Sequence, residues 1–139
     1  MLIALKNKFI ATMIIKLLII GAGGFIGAIF RFLLIIFFNH HFSNKLFSGI
    51  LFVNSIGCFT FGIILSTLKY SKFINENLKI FLTIGFLGAL TTFSSFSFEL
   101  FTFFLNKQFL LAFLNILLSI ILGVSNIFLG YWIAKLLLT

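Results

Sequence analysis

The sequence predicts an all-α membrane protein with four transmembrane helices, and its composition and hydrophobic pattern support this. Of the 139 residues, 62% are hydrophobic and 9% are charged, whereas soluble domains are about 45–50% apolar and about 25% charged. A hydrocarbon core about 30 Å thick needs about 20 apolar residues per helix, and the chain contains four runs of at least that length. Because the runs are continuous and do not alternate with polar residues, they predict helices rather than barrel strands.

The four runs and their short connections form one transmembrane domain that takes up nearly the whole chain, residues 1–139. The helices are predicted at about residues 14–38, 46–68, 78–105 and 109–138. No room remains for a soluble catalytic domain, and the sequence offers no Ser/His/Asp or metal-ligand constellation of the kind that an enzyme needs. We therefore expect no enzymatic activity.

The ten Lys and Arg residues give a formal charge of +8. Most stand singly at the ends of the runs, as cations that flank membrane helices do, and they do not cluster with aromatic residues as a nucleic-acid site would require. With four spans both termini share one side, and the positive-inside rule places that side in the cytoplasm because it carries more lysines. It holds Lys6, Lys8, Lys16, Lys69, Lys72, Lys79 and Lys135, against Lys45 and Lys107 on the opposite side.

The first run has a lysine-bearing start and two features inside it. No small-residue cleavage site follows Lys6 and Lys8, so we expect a short leader and an uncleaved helix. Gly23 and Gly27 form a GxxxG pair that favours close helix packing. A cation at a helix centre costs about 2.5–3.5 kcal/mol on insertion scales, so Arg31 is expected near a helix end or a watery vestibule. Snorkelling and attraction of an anion are both open explanations.

The second and fourth runs each carry polar residues on an apolar background. Asn54 lies well inside the second run, and because an unpaired amide in hydrocarbon costs several kcal/mol, it needs a partner or a wet path. An interhelical hydrogen bond and pore lining are the alternatives. Asn115, Ser119 and Gly123 recur every four residues in the fourth run. That spacing favours either a packing seam or a polar track along a pore.

The third run contains the segment GFLGALTTFSSFSFE, from Gly85 to Glu99. Five hydroxyl residues within seven positions have no use on a lipid-facing helix, whereas hydroxyls can satisfy backbone groups freed where a helix unwinds. The segment therefore predicts a third helix that is broken near the membrane midplane. Such breaks place carbonyl groups and half-helix ends at an ion site.

Three motifs together resemble the CrcB/Fluc family of fluoride channels. They are GGFIGAIFR at Gly23–Arg31, GILFVNSIGCF at Gly49–Phe59 and GFLGALTTFSSFS at Gly85–Ser97. The resemblance covers three helices in order and extends to chain length and helix count. It implies a multi-pass protein of the bacterial inner (plasma) membrane that carries passive, fluoride-selective efflux and so lowers cytoplasmic fluoride. Its partners would be fluoride and membrane lipid.

The resemblance also implies an antiparallel dual-topology homodimer with two pores and a central structural sodium ion. Backbone carbonyls at Gly88 and Thr91 would hold the sodium. The pore-lining residues would be Asn54, Phe93, Phe96 and Ser119, with Thr92 and Ser95 as further hydroxyls. These types suit a small, strongly hydrated anion, because amides and hydroxyls donate hydrogen bonds and aromatic rings have a positive edge.

The chain departs from the family pattern in four respects, the first of which is the lysine-bearing N-terminal leader before the first motif. Ala89 stands where the family usually has a second glycine, and Asn115 stands where a tyrosine is often found. The lysine bias of seven to two conflicts with a chain that inserts in both orientations. An oppositely oriented pair of related chains is therefore the alternative to the homodimer.

Two other functions fit a small four-helix membrane protein. A small multidrug or cation exporter would need a membrane-embedded carboxylate in the first helix, and the only acids are Glu76, in a loop, and Glu99, beyond the third motif. A non-transporting membrane subunit would use the polar residues only to hold helices together. Such a subunit would tolerate the replacement of Phe93 with isoleucine, because isoleucine keeps most of the packing volume, and this tolerance distinguishes it from a channel.

Overall fold

The computed structural model describes residues 2–42, 46–71 and 74–139, and all regular structure in those ranges is helical. Four helical segments there are long and apolar enough to cross a membrane. They are Leu5–His41, Gly49–Tyr70, Glu76–Leu105 and Phe109–Leu138. The prediction of an all-α, four-span, multi-pass membrane protein is confirmed. Lys45 and Lys72, two of the lysines in the charge comparison, lie outside the described residues.

The first helix, α1, is longer than its apolar run. It extends over Leu2–His41, 40 residues, which corresponds to about 60 Å at 1.5 Å per residue and exceeds a hydrocarbon core of about 30 Å. The predicted range of 14–38 marks the apolar part of this helix. The sequence has no proline to end the helix before that part begins, so the helix continues past the membrane-crossing region.

The third span is divided into four parts and interrupted once. It consists of α3 (Glu76–Ile80), a π-helix that we call π1 (Phe81–Leu87), α4 (Gly88–Leu90) and α5 (Phe93–Leu105). Between α4 and α5 the backbone is extended, with φ/ψ of −80°/151° at Thr91 and −149°/119° at Thr92. The interruption falls halfway along the 30-residue segment, so the predicted break in the third helix is confirmed. Helix α2 (Gly49–Tyr70) and helix α6 (Phe109–Leu138) are continuous.

Glycines bring the spans into close contact. Gly23 and Gly27 of α1 face π1, where a methyl group built on Gly23 would lie 2.6 Å from the Phe81 carbonyl oxygen. The predicted packing role of this GxxxG pair is confirmed. The most extensive contact joins α2 to α6, and there Gly62 and Gly130 leave no room for a side chain against the facing backbone. Close backbone approach through small residues is the usual packing mode of membrane helices.

Three lysines, Lys16, Lys69 and Lys135, contact acidic or aromatic side chains at the end of the bundle near the chain termini. Lys16 Nζ lies 2.6 Å from Glu76 Oε1, and the Tyr70 and Tyr131 hydroxyls are 3.3 Å apart. The ammonium groups of Lys69 and Lys135 lie 5.3 and 6.0 Å from the Tyr70 ring centroid. These contacts bring the N-terminal half of α1 to the start of the third span and the C-terminal part of α2 to that of α6, as the four-span topology requires. The assignment of this end of the bundle to the cytoplasm stays a prediction.

Candidate functional site

A cavity of about 350 Å³ lies between α2, the break in the third span and α6; we call it the central cavity. Its walls are formed by Leu51, Asn54, Ser55, Cys58, Thr91, Thr92, Phe93, Phe96, Ser119, Ile120 and Gly123. Asn54, Thr92, Phe93, Phe96 and Ser119, all predicted to line a pore, therefore meet at one place. No carboxylate is among these residues, whose polar side chains are one amide, one thiol and four hydroxyls.

The Asn54 side chain forms hydrogen bonds with the backbone at the break in the third span. Its Nδ2 donates to the Thr92 carbonyl oxygen at 3.1 Å, and its Oδ1 accepts from the Thr92 N–H at 2.8 Å. Both backbone groups of an extended residue are thereby satisfied by one amide, which imitates a neighbouring peptide. Asn54 makes the interhelical hydrogen bond that was one of its two alternatives, and it also lines the central cavity, while its pore-lining role stays a prediction. One of its two N–H donors remains unused among the described residues.

Three hydroxyls of the third motif, those of Thr92, Ser94 and Ser95, lie within hydrogen-bonding distance around Thr92. Thr92 Oγ1 accepts from the Ser95 N–H at 3.1 Å and caps α5, and it also lies 3.1 Å from the hydroxyls of Ser94 and Ser95. Ser95 is thus engaged in the cap and does not line the central cavity. Across the cavity, the Ser119 hydroxyl makes no hydrogen bond within the described part of the chain. Its donor is available to a ligand.

Phe93 and Phe96 stand together at the rim of the central cavity. Their ring centroids are 5.8 Å apart and the ring planes are inclined by 47°. The Phe93 side chain is 79% exposed in the single chain, whereas Phe96 is half-buried. The central cavity is therefore open on the side of Phe93.

The break gives its two sides opposite electrostatic character. On one side, α5 begins at Phe93 beside the central cavity, and the first N–H groups of a helix carry a partial positive charge that favours anions. On the other side, the helical run over 76–90 ends, and the last carbonyls of a helix have no intrahelical partner and carry partial negative charge. The two ends are separated only by Thr91 and Thr92.

The carbonyl side of the break has a cavity of its own, about 290 Å³, which we call the carbonyl cavity. Gly88 and Thr91, the residues predicted to hold sodium, both line it. The Leu87 carbonyl accepts from both the N–H and the hydroxyl of Thr91, at 3.0 and 2.9 Å. Oxygen donors of this kind coordinate sodium in broken membrane helices, and the residues present therefore fit such an ion. The described His, Cys, Asp and Glu side chains offer no group of three that could hold a metal.

Arg31 lies apart from both cavities. It is half-buried on α1 and lines neither the central cavity nor the carbonyl cavity. Within the described ranges it has no hydrogen bond and no ion pair. Its predicted vestibule role stays a prediction.

A buried polar cluster around Glu99 was missed by sequence reasoning. Glu99 Oε2 accepts from the Ser48 hydroxyl at 3.0 Å and from Asn115 Nδ2 at 3.2 Å, and the Asn115 side chain is 0% exposed with an unpaired Oδ1. Ser48 and Glu99 line a cavity of about 460 Å³ at the end of the bundle away from the termini, together with Asn39 and Gln108. The available signal was the carboxylate inside an apolar span, which must have partners there.

Comparison with known proteins identifies the family. The model of the family "CrcB-like protein, Camphor Resistance (CrcB)" matches residues 18–131. This chain belongs to the CrcB family. The resemblance inferred from the three motifs is confirmed, and the matched region contains the central cavity, the carbonyl cavity and the break.

Curated members of the CrcB family align with this chain over nearly their whole length. The "Fluoride-specific ion channel FluC" of Campylobacter hominis is 44% identical over 126 residues, 90% of this chain and 99% of the relative. The protein of the same name from Campylobacter jejuni is 41% identical over 123 residues, 88% of this chain and 100% of the relative. That from Dehalococcoides mccartyi is 38% identical over 127 residues, 88% of this chain and 94% of the relative. The relatives' name denotes ion channels rather than enzymes.

Proposed function

We propose that this CrcB family protein is a fluoride-selective channel through which fluoride leaves the cell passively, so that cytoplasmic fluoride falls. The observation that carries the proposal is the match to proteins named fluoride-specific ion channels over 94–100% of their length. That relationship favours a channel over the small multidrug exporter and over the non-transporting subunit. The geometry of the central cavity supports the same conclusion.

The central cavity supplies what a small anion needs when it loses water. The unused N–H of Asn54 and the hydroxyl of Ser119 are donors without a partner among the described residues, and anions accept hydrogen bonds from such groups. The start of α5 adds partial positive charge. The positive edges of the Phe93 and Phe96 rings contribute in the same sense. A wall without carboxylates avoids repulsion of the anion.

We infer that a second subunit completes the pore. Phe93 is 79% exposed, so a path that this ring lines needs another surface opposite it. An antiparallel homodimer with two pores supplies that surface, and an oppositely oriented pair of related chains is the alternative that the lysine bias favours. Carbonyls at Gly88 and Thr91 would hold a structural sodium ion, which when bound supplies fixed positive charge close to the break.

Liposome flux measurements test the channel proposal. Purified protein is reconstituted into vesicles loaded with fluoride or, in parallel, chloride, and efflux is followed with ion-selective electrodes. We expect rapid fluoride efflux without a proton gradient and chloride efflux at the level of protein-free vesicles. Equal permeability to both anions, or none to either, would refute fluoride selectivity, and proton-dependent cation transport would support the exporter instead.

Aromatic substitutions test the pore-lining role. Phe93→Ile and Phe96→Ile remove the ring edges and keep most of the apolar volume, so we expect at least about a tenfold slower efflux with unchanged assembly on gel filtration. Phe101→Ile is the matched control, because Phe101 lies on the same helix and is exposed, yet it does not line the central cavity. If all three variants conduct equally, the two phenylalanines do not line the path.

A further inference from the structure

Most threonine hydroxyls in the described spans are bonded within their own helix. Thr60, Thr67 and Thr102 each donate to the carbonyl oxygen four residues earlier, at 2.9 Å. This is the ordinary way to bury a hydroxyl among apolar side chains, where an unpaired donor is costly. Ser55, on the same helix as Thr60, does not follow this hydrogen-bonding pattern.

The Ser55 hydroxyl is bonded to Asn126 of α6. Asn126 Nδ2 donates to Ser55 Oγ at 2.8 Å, which uses one of the two N–H groups of the amide and leaves the serine as acceptor. The Ser55 O–H and the second Asn126 N–H then have no partner among the described residues. Two hydrogen-bond donors without a described partner therefore lie next to each other within membrane-spanning helices. A Ser55–Asn126 hydrogen bond that served only to join the helices would not require these two additional donors.

These two donors line a second cavity, which shares Ser55 with the central cavity. Ser55 lines the central cavity and also a neighbouring cavity of about 370 Å³, the lateral cavity, which Asn126 lines as well. Asn126 follows Ser119 by seven residues on α6, so the two side chains share one helix face about 10 Å apart. The remaining walls of the lateral cavity are Phe52, Ile56 and Phe59, without a carboxylate.

We propose that Ser55 and Asn126 form a second anion-binding point on the path, reached after the central cavity. An anion that leaves the Ser119 hydroxyl accepts hydrogen bonds from the Ser55 O–H and the free Asn126 N–H in turn, and the lateral cavity provides the space. The neutral chemistry of the two donors suits a monovalent anion that must bind and leave again. This proposal rests on the proposed channel function.

The test compares efflux through Ser55→Ala, Asn126→Leu and Thr60→Val with that of the unaltered protein in fluoride-loaded vesicles. Hydrogen bonds to a charged partner contribute more than neutral ones, so we expect efflux per assembled protein to fall at least about tenfold in the first two variants. Thr60→Val should conduct normally, because the Thr60 hydroxyl donates to a carbonyl of its own helix and is not available to an anion. Gel filtration and thermal melting of each variant are recorded in parallel.

The outcomes separate this proposal from the channel proposal. Normal efflux through Ser55→Ala and Asn126→Leu, with or without a lower melting temperature, would show that the pair only joins α2 to α6 and would overturn the second binding point. If Asn126→Leu does not assemble, the nearly isosteric Ser55→Ala variant decides alone. An unaltered protein that carries no fluoride would overturn both proposals.

Discussion

The pairing of Asn54 with the Thr92 backbone gives the sharpest prediction for stability. Leucine at position 54 keeps the side-chain volume but removes both hydrogen bonds, of 2.8 and 3.1 Å, to the Thr92 peptide groups. Thr92 is 7% exposed, so its stranded peptide groups have little access to water. Each stranded buried group costs about 1–3 kcal/mol, and two of them predict that Asn54→Leu lowers the free energy of unfolding by about 2–6 kcal/mol.

Thermal melting followed by circular dichroism in detergent measures the effect of Asn54→Leu. The control is Thr67→Val on the same helix, which loses a hydroxyl bonded to its own Ile63 carbonyl at 2.9 Å. That variant should remain within about 0.5 kcal/mol of the unaltered protein. If Asn54→Leu melts together with Thr67→Val, the Asn54 amide does not stabilise the break in the third span.

Two further substitutions test packing and the Glu99 cluster. Gly62→Ala forces a methyl group into the α6 backbone and should lower the free energy of unfolding by about 1–3 kcal/mol. In the control Gly21→Ala the new methyl group meets no atom within 4 Å, so the free energy of unfolding should not fall. Urea titration compares the two variants, and equal stabilities would contradict the close packing. Glu99→Leu strands the donors of Ser48 and Asn115 and should cost about 1–3 kcal/mol for each. Glu99→Gln keeps an acceptor and should stay near the unaltered protein in melting experiments, so that a Gln variant as unstable as the Leu variant would argue against the hydrogen-bond explanation.

Composition and local pattern were enough to predict the spans and the broken helix. Four long apolar runs leave helices as the only spanning form, and the cluster of hydroxyls after Gly88 indicated where the third helix opens, at Thr91 and Thr92. Both signals are local, because hydrophobicity and backbone satisfaction act on consecutive residues. The same is true of Gly23 and Gly27, whose small size predicts contact without saying with what.

The local sequence pattern could not predict which groups the polar side chains bind. Asn54 and Thr92 are 38 residues apart, and Ser55 and Asn126 are 71 apart; which groups meet depends on how far each helix is rotated and shifted against its neighbour. One turn of α2 in either direction would present different residues. The sequence therefore predicted that Asn54 needs a partner, and only the packed bundle identifies it.

The contact between α2 and α6 has a consequence for biogenesis. These helices are separated in sequence by the entire third span, yet the tightest glycine-mediated approach in the described bundle joins them at Gly62 and Gly130. Chains emerge from the ribosome from the N-terminus onward, so the first three spans enter the bilayer before that partner exists. Until the last helix is inserted, the half of α2 around Gly62 is expected to face lipid. A translation product that stops near residue 105 is thus expected to be a substrate for membrane quality control.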